Sequence, residues 1–158
     1  MQIPIGLFRA LLPLTALATR TPGRAWLGRP FMRAMGLTTL WIRRGRPQSG
    51  AEEVGAEWHR MFPKHINMPI TRVEGDTVYA EIHEVCPHRG TGNVEGCWRM
   101  MEYDRRMLER IGGQLVVLHS QSEPGRSHCE LAIRPVGQPI DDLEHAHERV
   151  RRLTVLNE

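Results

Sequence analysis

Two hairpin signals flank one capped helical run in this chain, and that order leaves few ways to fold it. The first hairpin joins runs 68–73 and 77–86 through Glu74, Gly75 and Asp76. The second joins 114–122 and 127–135 through Glu123, Pro124, Gly125 and Arg126, with proline and glycine in the order a turn favours. Between them, Asn93 is placed to cap a helix over 94–111 that Gly112 and Gly113 close. The pattern predicts an α+β fold: N-terminal helices packed on an antiparallel sheet of about four strands, with 94–111 as the crossover helix.

The twofold period of a strand assigns faces. In 77–86, Val78, Ala80 and Ile82 form the apolar face, and Glu84 and Cys86 continue it, which aims a carboxylate inward beside a thiol. A strand that twists out of the sheet at Glu84 leaves that carboxylate solvated instead. If Ser122 faces Ser127, then Val116, Leu118 and Ser120 share a face with Cys129, Leu131 and Ile133, and Ser120 stands across from Cys129. Leu115, Val117 and His119 then occupy the other face with His128 and Glu130. On the helix, Cys97, Met100, Met101, Asp104, Leu108 and Ile111 fall on one stripe, with Asp104 its polar member.

The three cysteines therefore sit at a strand end (Cys86), a helix start (Cys97) and a central strand (Cys129), and are expected to meet in one core. An odd number without a regular framework points to free or metal-bound thiols in a reducing compartment, the cytoplasm first. With His88 as a fourth ligand, Cys86, His88, Cys97 and Cys129 suit a tetrahedral zinc or an iron. With an open position they suit a catalytic metal or an iron–sulfur cluster. Alternatively, Cys97 lies in the first helical turn, where the helix dipole favours the thiolate, and acts as a nucleophile with Glu84, His88 or Asp104 carrying the proton. Three buried cysteines that touch neither metal nor substrate are the structural alternative.

Other chemistries find no support. Lys64 is the one lysine among 21 basic residues, and the arginines are scattered among 18 acids, so a nucleic-acid surface is not indicated. Walker, GxSxG and HExxH motifs are absent, and the glycines of 90–96 lack dinucleotide spacing.

Residues 1–48 read as a helical arm. The apolar run 1–18 is short of the ~20 residues a bilayer span needs; it suits a helix packed on the domain or lying on a membrane surface. A second helix carries Trp26, Leu27, Phe31, Met35 and Leu40, and docking on a membrane or protein partner is assigned to residues 1–40. After the polar break 43–50, residues 49–158 form the α+β core domain. Ser49 and Glu52 have capping-box spacing, and Val54, Trp58, Met61 and Phe62 form a stripe that Pro63 stops. The tail 141–153 reads as an amphipathic helix with Leu143, Ala146, Val150 and Leu153 inward. His145 and His147, two residues apart, do not share one of its faces.

A strand ending in a thiol, a helix with a second cysteine and a hairpin containing GRSHCELAIRP resemble the L-2-amino-thiazoline-4-carboxylic acid hydrolase-like family over about residues 77–135. Gly125, Cys129, Glu130, Leu131, Ala132 and Ile133 carry the likeness. That family places an aspartate three residues after the helical cysteine; here Met100 stands there and Asp104 lies one turn later. The resemblance implies a hydrolase acting on a small thiazoline- or amide-like molecule through Cys97 or a cysteine-bound metal. The contrasting expectation is a non-enzymatic metal or ligand sensor, or an accessory subunit that docks through its N-terminal arm.

Overall fold

The computed structural model describes residues 15, 17, 19, 20 and 25–156. Most of the apolar run 1–18, and with it the expected surface-lying helix, falls outside the described residues. Within residues 25–156, the helices α1 (Ala25–Arg43), α2 (Ala51–Arg60), α3 (Val94–Met100), α4 (Glu102–Ile111) and α5 (Ala146–Leu156) accompany the strands β1 (Ile70–Glu74), β2 (Thr77–Ile82), β3 (Gly113–His119) and β4 (Cys129–Pro135). The strands form one antiparallel sheet in the order β1-β2-β4-β3. The fold is α+β, with α3 and α4 crossing between the hairpins as the sequence predicts. None of the described helices is long and apolar enough to cross a membrane.

Register decides which face is core. Val78 pairs with Ile133, Ala80 with Leu131 and Ile82 with Cys129, while Leu115 pairs with Ile133 and Val117 with Leu131. The core face is therefore Val78, Ala80, Leu115, Val117, Cys129, Leu131 and Ile133, all buried. This corrects the expected register, which put Val116 and Leu118 on that face and Leu115 and Val117 opposite. The cause is a β-bulge between Val117 and His119: the extra residue shifts the ladder by one, so the turn-derived register holds only at the rung His119–Glu130. His119, His128 and Glu130 do lie on the outer face. Ser120 pairs its hydroxyl with Ser122 at 2.7 Å rather than facing Cys129 across a ladder.

Trp58, Met61, Met107, Leu108 and Ile111 close over the core face from α2, the turn after it and α4. The helix of 94–111 is two helices broken at Met101. Asn93 caps the first as expected, its Oδ1 accepting from the Gly96 amide at 2.8 Å. Ser49 does not cap α2; Gly50 occupies that position without a side-chain bond, and the helix ends at Arg60. The C-terminal helix begins at Ala146, five residues later than expected, and leaves Leu153 exposed.

The described part of the N-terminal arm is packed on the domain. Met32 of α1 joins the core, Tyr103 donates to Thr39 at 2.9 Å, and Arg29 and Arg33 pair with buried Glu102 at 3.1 and 2.9 Å. The break after α1 is tied down by Gln48 N–H donating to Ile111 O and Arg46 N–H donating to Glu57, both at 2.8 Å.

Gly112 closes α4 with φ +93°, and a Cβ there would lie 2.2 Å from the Gln48 carbonyl oxygen. Gly75, at φ +54°, has open space around it. A left-handed alanine costs ~1–2 kcal/mol, so Gly75→Ala is expected to cost about that and Gly112→Ala clearly more. Denaturant midpoints check this; equal losses at the two positions would exclude the close contact with Gln48 as the cause.

Candidate functional site

A cavity of about 130 Å³ opens between α1, the segment after α2, the end of β2 and the start of α3. Met32, Met35, Phe62, Met68, Met100 and Met101 supply much of its apolar wall, and Cys86, Cys97, Cys129, Asp104 and Gln121 its polar points. The three cysteines expected to converge do line one space, and all are free thiols.

Their electrostatics differ. A side-chain hydrogen bond with Cys97, followed by burial, pushes the Cys129 thiol far above its ordinary range. Burial pushes Cys86 up to about 11, against a weaker opposing effect of the His88 amide, which donates to its sulfur at 3.4 Å. Both thiols are neutral at ordinary pH. Cys97 is buried in the first turns of α3.

Asp104 is fully enclosed in the first turn of α4 and accepts a 3.0 Å hydrogen bond from the Trp58 indole N–H. Burial raises its carboxyl from 3.8 to about 6, the Trp58 bond opposing. The group is thus poised near neutrality in an apolar cavity. Of the two placements open for Glu84, the solvated one is found and the inward one is not: β2 ends at Ile82, and Glu84 sits exposed at the cavity rim, accepting from the Asn67 amide at 3.3 Å.

His88 is completely buried but does not line the cavity. Thr19 donates its hydroxyl to Thr15 O, so the 2.8 Å contact between Thr19 Oγ1 and His88 Nε2 has the imidazole as donor. Burial first, then Arg20 and Arg99, lowers His88 to about 4 and holds it neutral. Its bare Nδ1 has no hydrogen-bond partner among the described residues. Among those residues the set whose ligand atoms lie within 4.8 Å of one another is Glu81, His83 and His128, on the other face of the sheet. Cys86, His88, Cys97 and Cys129 do not form such a set.

Sequence reading missed Gln121. Its side-chain amide donates to Ile82 O and Glu84 O at 2.9 and 2.8 Å, and its oxygen accepts from Cys86 N–H and Arg89. Its own backbone N–H donates to Cys129 Sγ at 3.3 Å. One buried amide thus fixes Cys86 and Cys129 relative to each other. Only the nearness of Gln121 to the turn hinted at this.

The raised Asp104 carboxyl sets a pH signature. Its protonated form is the one the fold prefers, so that contribution is complete below about pH 3.8 and is lost as pH rises through about 6. The difference is on the order of 3 kcal/mol above pH 7. Asp104→Asn keeps an acceptor for Trp58 without the charge and is expected to gain stability over wild type progressively between pH 4 and 7. Unfolding of both proteins across that range measures the difference; parallel curves would exclude an ionisable buried Asp104.

Compared with protein-family models, with curated proteins and with solved structures, the chain gives no match.

Proposed function

We propose that the chain is a hydrolase-like enzyme that takes a small thiazoline- or amide-like molecule into the thiol-lined cavity, with Cys97 as nucleophile. The observation that carries this reading is the meeting of Cys97 and Cys129 at the wall of a cavity that also holds a carboxyl of pKa about 6. Cys97 is the thiol of the three that stands in the first turns of a helix, the position that suits a nucleophilic sulfur, and a carboxyl near neutrality suits a proton carrier.

For an amide, Cys97 sulfur attacks the carbonyl carbon and the C–N bond breaks, with the Asp104 carboxylic acid protonating the departing amine. The Asp104 carboxylate then takes a proton from water as the oxygen attacks the thioester carbon. The C–S bond breaks, which restores the Cys97 thiolate and the Asp104 acid. A C=N carbon in a thiazoline offers the same electrophile. Free thiols suit a reducing compartment.

A second reading, binding without turnover, is favoured by the neutral state of Cys86 and Cys129 and by the methionine-rich wall. Its accessory-subunit form draws on Trp26, Leu27, Phe31 and Trp41, which α1 leaves exposed.

Incubation with 2-aminothiazoline-4-carboxylate and a panel of small amides, followed by chromatography, separates the two. The enzyme reading expects turnover that Cys97→Ser abolishes and Asp104→Asn lowers by ~10²–10⁴-fold, in variants that still melt cooperatively. Ligand-induced thermal stabilisation without product supports binding alone. Turnover that survives Cys97→Ser removes the nucleophile assignment.

A further inference from the structure

The outer face of the sheet carries a second cluster, separated by the sheet itself from the thiol cavity. Ile82 pairs with Cys129 and Glu81 with Glu130, so continuing the ladder one residue brings His83 opposite His128. Their rings stack with centroids 4.8 Å apart and planes 22° apart. Both Nε2 atoms turn to one carboxylate: Glu81 Oε2 lies 2.6 Å from His83 Nε2, and Glu81 Oε1 lies 3.9 Å from His128 Nε2. Glu130 Oε1 stands 3.8 Å from the same His128 nitrogen.

We propose that Glu81, His83 and His128 form a divalent-metal site of the zinc class, with Glu130 at its edge. Zinc bonds of ~2.0–2.2 Å in tetrahedral geometry require ligand atoms ~3.4 Å apart. His83 Nε2 and His128 Nε2 approach different oxygens of the one Glu81 carboxylate, at 2.6 and 3.9 Å, and one ligand atom from each of the three residues lies within 4.8 Å of the others. Small side-chain rotations suffice to close the set. Two imidazoles and a carboxylate, without sulfur, suit zinc, nickel or copper and leave a position for water.

Two further features separate this set from an ordinary ion-pair patch. Ser127 Oγ lies 3.1 Å from His128 Nδ1; with Nδ1–H as the donor and the hydroxyl oxygen accepting, Nε2 is free to ligate, which is the usual outer-shell support of a metal-bound histidine. Glu81 and Glu130 are directly opposite, an unfavourable like-charge pair in a ladder. Arg126 pairs with Glu130 at 2.9 Å, whereas the ion-pair partners of Glu81 among the described residues are the two histidines. A divalent cation supplies the permanent positive charge that Glu81 lacks.

Titration of the full chain with zinc and with cobalt, under reducing conditions and without chelators, tests the site. The expected result is one equivalent of metal bound and a cobalt spectrum with visible bands but no sulfur-to-metal charge-transfer band. His83→Ala and His128→Ala are each expected to weaken binding at least ~10-fold and Ser127→Ala by about 10-fold, while Cys97→Ser leaves it unchanged. His83→Gln and His128→Gln, which keep side-chain bulk, serve if an alanine variant does not fold. Affinity unaffected by the histidine changes, uptake that follows the cysteines, or no binding up to ~1 mM metal overturns the proposal. The measurement is independent of turnover at the cavity.

Discussion

A buried carboxylate needs a partner, and Glu102 is where this fold meets that demand. It stands at the break between the two crossover helices, 2% exposed, and an unpaired charge there would be strongly destabilising. Arg29 and Arg33, one turn apart on α1, and Arg105 on its own helix all reach it. Arg29 and Arg105 also approach the Trp98 ring, at 4.8 and 5.0 Å. α1 is therefore tied to the domain by charge as well as by Met32. Without that tie the cavity would lose the wall that Met32 and Met35 provide.

The cavity that results is chemically divided. Its wall is apolar and thioether-rich, which keeps thiols and carboxyl short of solvation and pushes Cys86 and Asp104 towards their neutral forms. The hydrogen bond between Cys129 and Cys97 breaks the symmetry among the thiols. Gln121 supplies the rigidity, because it bonds the strand-end segment and the hairpin loop at once. A site built this way places reactive groups on strand and helix ends while leaving the enclosed volume to a ligand of few atoms.

What could be read from the chain followed from local rules. Turn residues located both hairpins, Asn93 and Gly112 bounded the crossover helices, and the convergence of Cys86, Cys97 and Cys129 followed from assigning each an inward position. What could not be read depended on tertiary choices. The bulge before His119 has no composition signal, so register counted back from the turn went wrong at Val117. The end of β2 at Ile82 is set by Gln121 capturing the Ile82 and Glu84 carbonyls, which put Glu84 at the rim. Glu102 and Asp104 sit two residues apart at one helix start, yet one is met by arginines and the other by an indole, a distinction only packing makes. His83 and His128 are 45 positions apart in numbering and meet only because β4 inserts beside β2 rather than next to β1.

The bulge between Val117 and His119 also has a meaning for how such a chain can change. It holds one residue in reserve between the core rungs and the turn, so the two ends of the hairpin need not keep the same count. Loss of Leu118 would flatten the bulge and leave Leu115, Val117, Leu131 and Ile133 facing inward, with His119 and Glu130 still outward. The strand can therefore differ by a residue beside the loop that carries Gln121 while the sheet keeps its sidedness, which separates change near the site from maintenance of the fold.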